Sequence, residues 1–236
     1  MDKCIIRGEK VTKKFVSGDI EVLAVNEIDF SINKGELVVI LGQSGAGKTT
    51  LLNLLGGMDT LTSGSLIIDG SDVSKYTKKD LVSFRRNKIG FVFQFYNLMP
   101  NLTAVENVEL ATELKKDALN PKEVLESVGL ADKTKNFPSQ LSGGEQQRVS
   151  IARAVAKNCD IILCDEPTGA LDYETGKGIL ALLSKEAKEN GKTVIIVTHN
   201  SALADMADHL IKMRNGKLIY DEYNAHPKRI EDIEWW

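Results

Sequence analysis

Three clusters in this sequence have residue types and spacing suited to chemistry on phosphates. The first is Gly42-Gln43-Ser44-Gly45-Ala46-Gly47-Lys48-Thr49, followed by Thr50. It matches the glycine-rich phosphate-loop pattern in full, with a hydrophobic run before it and an amphipathic stretch after it. Glycines let such a loop wrap so that successive backbone N–H groups face phosphate oxygens. The helix that follows adds the partial positive charge of its N-terminus. Lys48 has the reach for β- and γ-phosphates, and the Thr49 hydroxyl suits Mg²⁺. A turn that merely caps a helix is the plain alternative, but strand, loop, lysine, hydroxyl and helix stand here in the order that nucleotide binding requires.

The second cluster is Ile161-Ile162-Leu163-Cys164-Asp165-Glu166, a buried-strand pattern ending in two carboxylates. Ligands in open α/β sheets collect beyond the carboxyl ends of strands, which puts this pair near the phosphate loop. Asp165 suits Mg²⁺, through water, and Glu166 suits a base that polarises an attacking water. A positioned base contributes about 10² to 10⁴ in rate, or about 3 to 5.5 kcal/mol of barrier. The third cluster is Leu141-Ser142-Gly143-Gly144-Glu145-Gln146-Gln147-Arg148. Ser142 and Glu145 have capping-box spacing, and Val149, Ala152, Val155 and Ala156 fall on one face of the helix that follows. Two glycines at that N-terminus would let a second anion approach unpaired N–H groups, whereas an ordinary cap needs no Gly-Gly pair.

These clusters need a scaffold. The chain has 236 residues, 42% hydrophobic and 27% charged, which is ample for a globular core. Apolar runs at 36–41, 160–164 and 193–198 lack clean alternation, as expected of strands covered on both faces. Helical stretches at 49–55 and 173–189 sit between or beside them, so the order predicts an α/β fold with a mostly parallel sheet. Residues 5–11 and 22–32 alternate, and 65–69 ends at the Asp69-Gly70 turn signal, which predicts a flanking antiparallel β layer. Residues 78–156 read as an inserted helical subdomain interrupted by Pro100, Pro121 and Pro138, with 1–77 and 157–236 forming the core and β layer of a single domain.

Composition excludes other classes. The formal net charge of −3 lacks the basic footprint of a nucleic-acid binder. Cys4, Cys159 and Cys164 fit no metal spacing and read as reduced, buried thiols. No signal-peptide core follows the N-terminus, and the longest apolar runs are far too short to span a bilayer. The expectation is a soluble protein whose membrane association comes through a partner.

The stretch from Leu141 to Arg148 closely resembles the signature of ABC ATPases, and further matches surround it. Gln94, in Phe91-Val92-Phe93-Gln94, corresponds to the Q-loop glutamine, which in the family touches Mg²⁺ and the attacking water. Gly169-Ala170-Leu171-Asp172 is similar to the D-loop, and His199 to the switch histidine that contacts the γ-phosphate. Phe15 stands where the family places an aromatic against adenine, with a core aromatic as the rival reading. Gly169 replaces a common Ser, and Asn200 a common Asp; neither change removes a catalytic group. The resemblance implies an ABC nucleotide-binding domain on a P-loop NTPase core, using ATP and Mg²⁺. It implies catalysis by Glu166, His199, Gln94 and Lys48, and metal ligation by Thr49, Gln94 and Asp165. It also implies a head-to-tail dimer, in which the phosphate loop of one copy and Ser142, Gly143, Gly144 and Glu145 of the other enclose each ATP, with Asp172 nearby.

The segments Asn97-Leu98-Met99-Pro100-Asn101-Leu102-Thr103-Ala104-Val105-Glu106-Asn107-Val108 and Glu166-Pro167-Thr168-Gly169-Ala170-Leu171-Asp172 are most similar to the lipoprotein-releasing and macrolide-export group, LolD and MacB. That likeness implies an integral-membrane permease docking near Phe95 to Met99, and a cytoplasmic, peripheral position at the inner face of the cell membrane. Export or extraction of lipoproteins, antibiotics or peptides is the implied work; signalling through a cell-division type of complex is a second reading. Leu102, Val105 and Val108, at helical spacing, read as helical core. Phe95 and Tyr96 read either as that core or as partner contact, since aromatics are enriched at interfaces. A repair or chromosome ATPase would need a coiled coil that the interval before Leu141 lacks. The tail ending in Trp235-Trp236 carries no family motif, and packing back on the chain or on a partner are both open.

Overall fold

Hydrophobic runs without alternation become central strands here because both of their faces are covered. The structure, a computed structural model, describes residues 3–113 and 115–233, so Trp235 and Trp236 lie outside the described residues. In chain order the elements are β1 (Cys4–Ser17), β2 (Ile20–Asn33), β3 (Leu37–Leu41), α1 (Lys48–Leu55), β4 (Ser63–Ile68), β5 (Ser71–Asp72), α2 (Lys78–Lys88) and β6 (Ile89–Val92). There follow α3 (Ala104–Thr112), α4 (Pro121–Ser127), α5 (Gly143–Ala156), β7 (Ile161–Asp165), α6 (Tyr173–Lys188), β8 (Thr193–Thr198), β9 (His209–Arg214) and β10 (Lys217–Tyr223).

The larger sheet runs β10-β9-β3-β8-β7-β6, with every pairing parallel except the antiparallel β10–β9 edge. Its strands divide their side chains between two cores. Leu37, Val39, Ile162, Val194 and Ile196 face one, with α3, α4, α5 and α6; Val38, Ile40, Leu163, Ile195 and Val197 face the other. That second core also holds Leu51, Leu52, Leu54 and Leu55 of α1, together with Ile6, Val25, Phe30, Leu66 and Ile68 of the smaller sheet. The smaller sheet, β2-β1-β4-β5, is antiparallel throughout. Helix α1 therefore lies between two sheets, and its apolar leucines have no solvent face to serve. The expected architecture, a mostly parallel core with an antiparallel β layer and a helical insertion, is the observed one.

The interval 78–156 needs one correction. It contains β6, which pairs in parallel with β7 as an edge strand of the larger sheet. Phe84 of α2 is buried in the core shared with α1, away from α3 to α5. The sequence hid β6 because Ile89-Gly90-Phe91-Val92 follows α2 directly, with no turn residue between them and only four residues to show a period. Gly90 is what lets this strand sit close to α5, since a Cβ there would stand 2.8 Å from the Ala154 carbonyl oxygen. Cys159 and Cys164 are buried free thiols as expected, while Cys4 is only half-buried. Among the described residues no helix is long and apolar enough to cross a membrane.

Gly90→Ala should destabilise the chain by about 1–3 kcal/mol, the usual cost of forcing an extra methyl into packed structure. Urea unfolding tests this: an unchanged midpoint would mean that β6 and α5 are free to separate.

Candidate functional site

The phosphate loop leaves the end of β3 and is shaped by what it passes over. The Gly42 N–H donates to the Thr198 carbonyl at 3.3 Å, and a Cβ on Gly42 would lie 2.5 Å from the Met213 carbonyl oxygen. Gly47 has φ +98°, and its Cβ would meet the Ala24 carbonyl oxygen at 2.1 Å. Both positions therefore exclude any side chain. Gly47 offers no side-chain cap to α1, so the first-turn N–H groups of this helix are left to a ligand. Lys48 is buried and folds back over the loop, donating from Nζ to the carbonyls of Gly42 at 2.8 Å and Gln43 at 3.1 Å.

Beside it stand the two carboxylates. The Thr49 hydroxyl donates to Asp165 Oδ1 at 3.2 Å. Burial pushes the Asp165 carboxyl above its ordinary range; the Thr49 bond pulls the other way, Glu166 adds to the rise, and Lys48 opposes it. A hydroxyl and one carboxylate at this spacing fit a hard cation that takes its remaining oxygens from substrate phosphates and water. Among the described residues no group of three or more His, Cys, Asp or Glu could hold a metal.

Glu166 sits in the left-handed region at φ +45°, which is uncommon for a residue with a side chain. Its N–H donates to the Val197 carbonyl at 3.0 Å, and its carbonyl accepts from Gly169 N–H at 3.1 Å, so the turn is held on both sides. The carboxylate is held as well: Oε2 accepts from Thr198 Oγ1 at 3.1 Å, Oε1 lies 2.9 Å from His199 Nδ1, and Lys48 Nζ is 4.0 Å from Oε1. Such strain persists only where neighbours over-determine it, and functional sites are where it collects.

A cleft of about 1230 Å³ is lined by all nine residues 42–50 together with Gln94, Glu166 and His199. Asp165 joins this group through Thr49. The cleft has a second wall to which no sequence motif points, formed by Val22, Leu23 and Ala24 with Ser201, Lys212 and Asn215. Register puts Lys212 there, opposite Leu41 across the β3–β9 pairing. Nothing in the local sequence distinguishes it from any exposed strand lysine. Phe15 does not line the cleft, but it pairs across β1–β2 with Val22, which does. It is 46% exposed with the Lys13 ammonium 5.0 Å above its ring, so the rival reading of a core aromatic fails.

Ser142, Gly143, Gly144, Glu145 and Asp172 form a different group. None of them lines the cleft. The expected capping box is present: Ser142 Oγ accepts from Glu145 N–H at 3.3 Å, and Glu145 Oε2 accepts from Ser142 N–H at 2.8 Å. That backbone bond leads the causes holding the Glu145 carboxyl below its ordinary range. Asp172 caps α6 by accepting from Thr175 N–H at 3.0 Å. A Cβ on Gly144 would meet Thr175 Cγ2 at 2.2 Å, so the N-termini of α5 and α6 abut. Phe95 is 75% exposed, whereas Tyr96 is half-buried, its hydroxyl 2.9 Å from where a Gly143 Cβ would stand. Val108 is core, and Leu102 and Val105 are half-buried.

Residues 25–169 match the family described as ABC transporter. The chain is 42% identical over 220 residues to an uncharacterised ABC transporter ATP-binding protein of Mycobacterium tuberculosis, covering 91% of this chain and 89% of that one. It is 43% identical over 230 residues to the macrolide export ATP-binding/permease protein MacB of Vibrio parahaemolyticus, covering 95% of this chain but 35% of that protein. The chain thus spans only about a third to a half of the length of several curated relatives it matches. Among solved structures it is similar to the dimeric bacterial ABC transporter cassette MJ0796, with a TM-score of 0.84 and 42% identity, over 92% of this chain and 98% of that one. The same cassette in a dimeric post-hydrolysis state bound to ADP and Pi gives a TM-score of 0.86 at 40% identity. The chain therefore belongs to the ABC transporter family as an ATP-binding cassette with MacB-like relatives.

Proposed function

We propose that this chain hydrolyses ATP in a head-to-tail dimer with a second copy and so drives a MacB-like permease. The observation that carries the reading is the convergence of Lys48, Thr49, Asp165, Glu166 and His199 at one end of the sheet. Lys48 and the loop N–H groups hold the β- and γ-phosphates of the substrate, with Phe15 against the adenine. Thr49, Asp165 and Gln94 hold Mg²⁺, which when bound neutralises charge on the phosphate oxygens. Glu166 accepts a proton from the attacking water, its carboxylate aimed by Thr198. His199 holds the γ-phosphate and supports Glu166. Ser142, Gly143, Gly144 and Glu145 close on the nucleotide of the other copy, with Asp172 beside them. Dimeric MJ0796 and the permease-fused relatives support this assembly.

The work is carried out at the inner face of a membrane, with the chain cytoplasmic and peripheral and the permease seated near Phe95 and Met99, which are 75% and 51% exposed. The substrate class, a lipoprotein, antibiotic or peptide, rests on the sequence likeness to the LolD and MacB group, of which the macrolide exporter MacB is a relative of this chain.

Two substitutions separate binding from chemistry. Lys48→Ala should abolish ATP binding in a filter or fluorescence assay. Glu166→Gln should keep binding, lower turnover by about 10² to 10⁴, and accumulate as an ATP-dependent dimer in size-exclusion chromatography. Turnover near wild type in Glu166→Gln would remove Glu166 as the base. Chelation by EDTA should stop hydrolysis and added Mg²⁺ restore it; hydrolysis that persists in EDTA would contradict the role given to Thr49 and Asp165. Pull-down of tagged Glu166→Gln with ATP from gently solubilised membranes should bring down a permease with few spans and a large external domain. A membrane partner without a transport path would favour signalling instead.

A further inference from the structure

Between β6 and α3 the chain crosses from the sheet to the helices without regular structure, and it carries Gln94 at its start. Two consecutive residues in this crossing, Tyr96 at φ +58° and Asn97 at φ +48°, are left-handed although neither is glycine. Asn tolerates that region; a bulky tyrosine does so only when held. The turn is tight, with Asn97 N–H donating to the Phe95 carbonyl at 2.5 Å and Tyr96 N–H to the Phe93 carbonyl at 3.3 Å.

Both strained carbonyls point to one donor. Arg153, on α5, gives Nη1 to the Asn97 oxygen at 2.6 Å and Nη2 to the Tyr96 oxygen at 2.8 Å. A planar guanidinium is the side chain that can serve two carbonyls in this way. Burial lowers the Arg153 pKa from its ordinary value, yet a guanidinium stays charged in proteins. The Tyr96 ring meanwhile reaches toward the N-terminal end of α5 and sets its hydroxyl against Gly143. The far end of the crossing is fastened to α3 by buried Asn107, whose Oδ1 accepts from Met99 N–H at 2.7 Å. Its Nδ2 donates to the carbonyls of Met99, Leu102 and Thr103 at 3.1, 3.0 and 3.0 Å. Side chains of α3 and α5 thus hold the crossing at both places, while Gln94 reaches toward the sheet end, its Nε2 4.0 Å from where a Gly169 Cβ would stand.

We infer that Arg153 is a positioning residue, which fixes the turn at Tyr96 and Asn97 to α5 so that Gln94 and the Ser142–Gly144 end of that helix move as one body. The inference rests on the dimeric ATPase reading above and adds to it a named mechanical joint. Displacement of α5 then displaces Gln94 relative to Glu166, and hydrolysis at one phosphate loop depends on the seating of the same chain's α5 on the other copy.

The test uses the full chain with Arg153→Met and Arg153→Lys, the second keeping the stem and charge without the planar fork. Both should bind ATP within about twofold of wild type, because the guanidinium bonds Tyr96 and Asn97 and Arg153 does not line the cleft. kcat should fall about tenfold in Arg153→Met, the scale set by a loss of about 1.4 kcal/mol of transition-state support, KM for ATP should rise with the ATP needed for dimerisation, and Arg153→Lys should recover only part. In the Glu166→Gln background, Arg153→Met should need several-fold more ATP to form half the dimer. A role in stability alone would lower the unfolding midpoint and leave kcat and the ATP dependence of dimerisation unmoved in the folded fraction, and that overturns the inference. If Arg153→Met does not fold, Arg153→Lys decides on the same readouts. Should Glu166→Gln dimerise with ATP while both Arg153 variants behave as wild type, the joint alone is refuted. A Glu166→Gln chain that never dimerises refutes the reading beneath it.

Discussion

The carboxylate of Glu166 is reached from three neighbouring strands, and the rest of the site is arranged around that meeting. Lys48 follows β3, Thr198 ends β8 with His199 after it, and Glu166 follows β7. These strands are adjacent and parallel, with Leu41 opposite Thr198 and Asp165 opposite Val197. Parallel strands spaced about 4.8 Å apart end on the same side, so register brings together the strand ends from which the ammonium, hydroxyl, imidazole and carboxylate are presented. A slip by one residue would exchange the two cores of every strand, which is why the register is firm. The left-handed turn at Glu166 swings its side chain off the strand line into this group. Strain of that kind costs on the order of 1–3 kcal/mol, and the bonds to Val197 and Gly169 hold it in place.

The phosphate loop depends on a second constraint, the close passage of glycines over backbone carbonyls from elsewhere. Gly42 passes Met213 of β9, and Gly47 passes Ala24 of β2. The loop shape is therefore set by the edge of the parallel sheet and by the antiparallel layer together. This also accounts for the second wall of the cleft, since Val22, Leu23 and Ala24 arrive on the strand that packs against Gly47. Helix α1, leucine-filled between the two sheets, cannot turn without disturbing both.

What is legible in the sequence is what local chemistry forces. Gly42 to Thr49, the strand ending in Asp165-Glu166 and the Ser142–Glu145 cap announce themselves because each function needs particular residue types at fixed spacing. The buried strands 193–198 and 36–41 are equally plain, since two covered faces leave an unbroken apolar run. Residues defined only by tertiary register are not legible. Lys212 and Val22 reach the cleft through the folding of strands that are distant from the phosphate loop in sequence. Gly90 hides a strand because its reason, the Ala154 carbonyl, lies on a later helix. Asn107 sits in a helix where valines give the periodicity, and nothing there indicates that it serves four backbone groups.

The glycines of the signature stretch show how a motif can be over-read. Gly144 is packed against Thr175, and Gly143 faces the Tyr96 hydroxyl, so packing within the chain already gives each a reason to lack a side chain. The Gly-Gly pair by itself does not demand a second anion. The stronger argument is one of placement. No residue from Ser142 to Glu145 lines the cleft that holds the phosphate loop, so the N-termini of α1 and α5 lie apart within one chain. If both are to hold one nucleotide, as proposed, they must come from different copies, and symmetry then produces two such sites. Two copies closing head to tail satisfy this with the same surface used twice. The joint formed by Arg153 would let each copy's Gln94 respond to how well its α5 has seated on the other's nucleotide.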